Sequence, residues 1–347
     1  ENQGQTQLSS TTGIELCGST STVTPTDVTL PFASATAAEQ FEGMLVRFPQ
    51  TLYVTEHFQL GRFGQVLMSS GGRLRQPTNI TTPGASALAQ QAANDLNQII
   101  VDDNTQAQNP DPILFGRGGN PLSASNTLRG ADTATGMVGV MTYTWSGNAA
   151  SGNAYRLRPV GALNGGVPNF QPANARPSAV PNVGGALRVT AANLLNYFNT
   201  FGTGACTNGV NGAATDCRGA DNSTEFDRQW PKTVTALTGN GADVIAVMEL
   251  ENDGYGASSA IQDLVTKLNN ATAAGTYAFI NADAATSQTN ALGTDAIKVA
   301  IIYKPAKVTP VGQTAALNST TFVNGGDGAQ RNRPALAQAF EQNSNGA

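Results

Sequence analysis

The chain has 347 residues, 40% of them hydrophobic, enough apolar side chain for two or three cores of ordinary domain size. Its 38 glycines, 17 prolines and 12% charged residues suit many short strands joined by tight turns and argue against a helical bundle. A net charge of −5 excludes global attraction to polyanions, so nucleic-acid binding must rest on a local patch or a bound cation.

Residues 1–27 form a polar N-terminal segment, and its start, ENQGQTQ, reads as neither a signal peptide nor a membrane anchor. No apolar stretch approaches the roughly 18 residues that cross a bilayer. From 28 to 165 the text is strand-like: Met44, Val46 and Phe48 alternate with Leu45 and Arg47, then come Leu52, Val54, Val66 and Met68. A small closed or nearly closed barrel fits. One helix interrupts it, in GASALAQQAANDLNQIIVDD, where Leu88, Ala92, Leu96 and Ile99 recur at helical spacing and predict a core-facing side. All nine basic residues before position 181 are arginines, Arg62, Arg73, Arg75, Arg156 and Arg158 among them, which suits forked recognition of carboxylate or phosphate as well as an ordinary surface.

Residues 166–186 hold four prolines and no sustained periodicity, and so predict an extended linker or a strap over the following domain, 187–347. There the order becomes strand, insertion, helix, strand, helix, strand, strand. LRVTAAN and DVIAVME predict buried strands. STEFDRQWPKTVTALTGNG predicts a helix ending near Gly239 that either begins or kinks at Pro231, since proline lacks the amide hydrogen. SSAIQDLVTKLNNATAAG predicts a second helix with Ile261, Leu264, Val265 and Leu268 on one face and Ser258 or Ser259 as its cap. TYAFI, AIKVAIIYKPAKVTPVG and RPALAQAF complete an α+β or α/β sandwich pattern.

Cys206 and Cys217 lie in a polar, glycine-rich insertion that predicts a bridge rather than two free thiols. Closing so short a loop is worth about 2–3 kcal/mol and implies an oxidising compartment. Cys17 is then odd, a free thiol or the partner of a cysteine elsewhere, upstream of residue 1 by preference.

Two segments carry the chemistry. VTAANLLNYFN and DVIAVMELEND each end an apolar run on a polar side chain, which places Asn193 and Glu249 at neighbouring strand ends. Hydrolysis of a phosphodiester needs a divalent cation, a base for water and hydrogen bonds to position both. Mg²⁺ prefers one or two carboxylates with several waters retained. A charge on Glu249 at a buried strand end calls for a partner. Glu251 is either a second ligand or a solvated neighbour, and Asp253 is expected in the turn beside Gly254.

The phrases AANLLNYFNTF, CRGADNSTEFDRQ, DVIAVMELENDGYG and GTDAIKVAIIYKPAKVTPVG resemble the secreted bacterial extracellular nucleases of the ExeM/NucH kind, within the endonuclease/exonuclease/phosphatase superfamily. EGMLVRFPQTLYVTEHFQLGRFGQVLMSSGGRLRQPTN, NPDPI and NTLRGADT resemble the β-rich region preceding the catalytic domain in that group, so the likeness covers about residues 28 to 340. It implies an α+β protein, with an OB-like barrel followed by the first part of a four-layered α/β sandwich like that of pancreatic deoxyribonuclease.

The resemblance further implies a secreted nuclease acting on DNA or RNA, a divalent cation (Mg²⁺, Mn²⁺ or Ca²⁺) on Glu249 and Asn193, and an acidic position at Asp295 near the phosphate. The Cys206–Cys217 pair matches a disulfide of that group. The superfamily's catalytic histidine and downstream carboxylates have no counterpart here; the single histidine, His57, lies in the β-rich region. The open face of such a sandwich would be covered by the remaining half of the domain or by a partner chain. An alternative is a non-catalytic surface binding or self-assembly module derived from such a nuclease.

Overall fold

The computed structural model describes residues 12–13, 15, 18, 22–145, 152–163, 165–325, 329 and 331–346. Cys17 lies outside them, as does most of the N-terminal segment. The chain divides into two units, Glu1–Pro177 and Ser178–Ala347. Among the described residues no helix is long and apolar enough to cross a membrane.

The first unit contains β1 (Thr26–Asp27), β2 (Leu45–Glu56), α1 (Leu60–Phe63), β3 (Gln65–Ser70), α2 (Ala85–Leu96), β4 (Ile99–Asp102), β5 (Thr133–Thr144) and β6 (Ala154–Arg158). β2, β3, β4, β6 and β5 pair in that order, and β5 returns to β2, closing a five-stranded barrel in which β4 and β6 run parallel. β2 serves two neighbours because it is long and irregular: its register against β5 shifts between Phe48 and Thr51, around Pro49, which has no amide to give the ladder. The period-2 pattern read from the sequence sends Val46, Phe48, Leu52, Val54, Val66 and Met68 into the core.

Two expectations fail in this unit. In α2, Leu88 is 73% exposed, and the buried positions are Ala87 and Asn94. The helix docks through small and polar side chains, with the Asn94 amide donating to the Arg75 carbonyl at 3.1 Å. The segment 166–186 is not a free tether throughout. Phe170 is fully buried edge-on against Phe115, and Gln171 bridges to Thr133. Asp132 explains the docking: its carboxylate takes a fork from Arg117 (2.8 and 3.0 Å) and further bonds from the backbone amides of Arg129, Ala173 and Asn174.

The second unit contains β7 (Val189–Tyr197), β8 (Cys206–Thr207), β9 (Ala214–Thr215), α3 (Ser223–Gly239), β10 (Val244–Glu251), α4 (Ala260–Ala271), β11 (Ala278–Phe279), α5 (Ala282–Thr286), β12 (Ile297–Tyr303), β13 (Val308–Leu317), α6 (Thr320–Asn324) and β14 (Ala335–Gln342). Its main sheet has the order β11, β12, β10, β7, with β7 and β10 parallel and the other pairs antiparallel; β13 pairs with β14 and β8 with β9. The whole is mixed α+β.

α3 and α4 share a core with one face of this sheet, built from Leu237, Ile245, Val247, Leu264, Leu268 and Ile302 with others. Ile261, Leu264, Val265 and Leu268 are buried as their spacing predicts, and Ser259 is the cap, its side chain accepting from the Gln262 amide. α3 does not begin at Pro231: it runs through it from the Asn222 cap and ends at Gly239 as its sequence predicts. β7 is an edge strand, not a strand buried on both faces. Its residues alternate between the core and solvent, leaving Val189 at 63% exposure.

Candidate active site

Asn193 and Glu249 are brought to adjoining strands. In the parallel ladder Asn193 is the register partner of Met248, and the next paired residues are Tyr197 and Leu250. Four residues of β7 thus face two of β10. The excess is absorbed by left-handed backbone at Leu195 (φ 54°) and Asn196 (φ 61°), and on the other strand by Glu249 itself (φ 62°). A non-glycine residue in that region costs roughly 1–2 kcal/mol. The bulge therefore places a glutamate where glycine would sit without strain.

The Asn193 side-chain oxygen accepts from the Leu195 amide at 2.8 Å, which turns the chain at the end of β7. Its amide nitrogen keeps both hydrogens free among the described residues. The Glu249 carboxylate, expected to need a partner, has no hydrogen bond or ion pair among them and is partly exposed. The bulge lifts it out of the buried strand, so the desolvation that would have demanded a partner is not incurred.

Glu251 departs from expectation in the other direction. It is 3% exposed, and one carboxylate oxygen accepts from the backbone amides of Asn199 and Thr200 at 3.0 and 3.2 Å. It is neither solvated nor presented to a ligand. Its work is to tie the loop after β7 to the end of β10. Beneath it, Lys298 is 2% exposed, donates to the Gly254 carbonyl and lies 4.1 Å from the centre of the Tyr255 ring. Burial pushes its pKa down to about 8 against the opposing pull of Asp253, Asp283 and Glu251. Asp253 is part of this charge cluster as well as a turn residue. Burial, and then the charge of Glu251, raise it to about 6 while it accepts from the Ala260 amide at the start of α4.

Asp295 lies just before the start of β12, held from behind by Asn252, whose side-chain amide donates to the Gly293 and Asp295 carbonyls at 2.9 and 3.0 Å. Its carboxylate, 17% exposed, meets Arg218 Nη2 at 3.0 Å and Arg333 Nε at 3.2 Å. The sequence reading gave neither arginine a role: Arg218 lies in the phrase CRGADNSTEFDRQ without being singled out, and Arg333 is distant from it in the chain. Cys206 and Cys217 form a disulfide pair with Cα atoms 5.1 Å apart. The pair packs with Phe198, Ala296 and Ile297, which fixes Arg218 beside Asp295.

Among the described residues no group of three or more His, Cys, Asp and Glu side chains comes together in a way that would hold a metal. His57 is exposed in the first unit. No family model and no curated protein matches the chain. A solved structure of the human Nocturnin catalytic domain with bound sulfate anion is similar over 46% of this chain and 45% of that chain, at 14% identity and a TM-score of 0.27, too low to assign a fold.

Proposed function

We propose that the chain is a secreted, metal-dependent phosphodiesterase of the extracellular nuclease kind, acting on DNA or RNA. Its first unit is read as an OB-like barrel, for which the five-stranded closure with β4 beside β6 is the support. Its second unit is read as part of a four-layered α/β sandwich. The observation that carries the activity is the unpartnered carboxylate of Glu249, held in a strained bulge one residue from the register partner of Asn193. Strain of this kind persists where a function requires the side chain.

A lone carboxylate with a neighbouring amide fits a hard cation that keeps most of its waters, and Mg²⁺, Mn²⁺ and Ca²⁺ all accept oxygen ligands. Glu249 would hold it, with Asn193 alongside. When bound, the cation would polarise a phosphoryl oxygen and offset its charge. The Asn193 amide hydrogens are placed to donate to a phosphate oxygen or a water, while its oxygen is occupied by Leu195. Glu251 holds the two strand ends in register, so that the donor and the carboxylate keep their spacing.

The test is cleavage of plasmid DNA with and without chelator by the parent protein and Glu249→Gln. Cleavage that requires a divalent ion and disappears in the variant supports the assignment; an unchanged rate in Glu249→Gln removes it. A second reading, a binding or assembly module, is favoured by the free edge of β7 and the exposed Val189 and Met248 on the sheet face away from the helices. That face would take its cover from further sandwich structure or from a partner chain, and chelator-insensitive binding without cleavage would identify this case.

A further inference from the structure

We infer that Arg218 and Arg333, clasped around Asp295, form a phosphate clamp that grips the substrate strand at a distance from the Glu249 corner. The inference rests on the phosphodiesterase reading and deepens it, since it makes the substrate a polyanionic strand and not a single phosphate ester.

The clamp has an excess of one positive charge: two guanidinium groups share one carboxylate. Arg218 pairs with Asp295 through Nη2 as an ion pair and Arg333 donates to it through Nε, and their side chains remain 42% and 48% exposed. Each fork therefore keeps N–H donors facing solvent, the arrangement that recognises phosphate by paired hydrogen bonds. Ion pairs this exposed contribute little stability, so stability alone gives no reason to hold two like charges together. The surroundings are nevertheless rigid. Asn252 fixes the Asp295 backbone, and the disulfide beside Arg218 is packed into the second unit. Gly219 brings the chain so close to the end of β7 that a Cβ there would meet Asn196 O at 2.8 Å and Phe198 Cβ at 2.7 Å.

The position sets the substrate length. Glu251 is the register partner of Ile297, so Asp295 lies about four residue steps beyond Glu249 along the strand direction, ~13 Å at the usual strand rise of ~3.3 Å per residue. A nucleic-acid strand advances ~3.4 Å per nucleotide, so the clamp meets a phosphate about four nucleotides from the one at Glu249. Sequence readout is not expected from such a contact, because phosphates carry none.

The experiment is fluorescence anisotropy of a labelled DNA strand of about ten nucleotides, ample for that span. It is titrated with the full chain in chelator across a salt series, with circular dichroism to verify folding. The double variant R218A/R333A should bind about tenfold more weakly or worse, and the slope of log affinity against log salt should fall by about 1.4, twice the single-strand value of ~0.7 per contact. Asp295→Asn keeps one hydrogen-bond acceptor but neutralises the carboxylate that both guanidinium groups share, and should bind tighter than the parent; it serves where the double variant fails to fold. Unchanged affinity and slope in either variant, or no measurable binding by the parent at low salt, overturns the clamp. Cleavage by Glu249→Gln is assayed in parallel and should be lost. Cleavage surviving in Glu249→Gln sinks the phosphodiesterase reading separately, whatever the clamp does.

Discussion

Met248 stands opposite Asn193 in the parallel ladder, and the residue that follows Met248 is forced into left-handed backbone. That places the strain at Glu249, where the left-handed backbone costs stability whatever the side chain is kept for. Replacing Glu249 by glycine should relieve it. The expected result in urea unfolding is a gain of up to about 1 kcal/mol together with loss of metal-dependent cleavage. A loss of stability would show that the carboxylate has a structural partner.

Glu251 should behave in the opposite way. Glu251→Ala leaves the part-buried Asn199 and Thr200 amides without their acceptor and opens the joint between β7 and β10. The cost is about 3 kcal/mol, from two unsatisfied donors. Hydrogen exchange should show both amides deprotected before the rest of the sheet, and a variant exchanging like the parent would contradict the tie.

What the sequence disclosed and what it hid follow a physical division. Period-2 runs such as Val46 and Phe48, and the helical spacing of Ile261, Leu264 and Leu268, were legible because burial imposes them locally. α2 misled because its apolar stripe is not its docking face; Asn94 packs there through a hydrogen bond that hydropathy cannot register. Asn193 and Glu249 were legible as polar residues ending apolar runs, yet the bulge that frees Glu249 comes from a mismatch of four residues against two, a property of the pair of strands. Arg218 and Arg333 are 115 positions apart and meet only through the fold, so no spacing could announce them.

The Asp253 and Lys298 cluster gives the second unit a pH signature. The folded pKa of Asp253 is raised from 3.8 to about 6, so its ionised form is disfavoured in the fold. Stability is thus lost as pH rises from about 4 to about 6 and is constant in this respect above that range. Asp253→Asn removes the loss, and its stability relative to the parent should improve between pH 4 and pH 7 in urea titrations. A difference that stays flat across that range would mean that Asp253 ionises freely.

Asp132 is the contrasting case in the first unit. Burial acts to raise its pKa, but the Arg117 fork and the Arg129 and Ala173 amides outweigh it, so the value lies below the usual carboxylate range. The stability it supplies is present above about pH 4 and is lost as pH falls through the folded value. Asp132→Ala strands Arg117 and the amides of the 166–174 strap, at a cost of about 3–5 kcal/mol. Limited proteolysis should then cut the strap first, and an uncut strap would locate its anchorage elsewhere.

Gly64 and Asp103 should be energetically coupled. Gly64 has a φ of 64° and closes α1 through its amide to the Leu60 carbonyl, and a Cβ built on it would stand 1.9 Å from Asp103 Oδ2. That oxygen is buried with no hydrogen-bond partner, and burial, with Asp102 adding to it, raises the carboxyl to about 6. Gly64→Ala therefore suffers twice, roughly 1–2 kcal/mol from left-handed backbone and about 1–3 kcal/mol from overlap with the carboxylate. In an Asp103→Ala background the overlap is gone and the backbone cost alone remains. A double-mutant cycle in urea should return a coupling of about 1–3 kcal/mol, and strict additivity of the two substitutions would show that the carboxylate swings aside without cost.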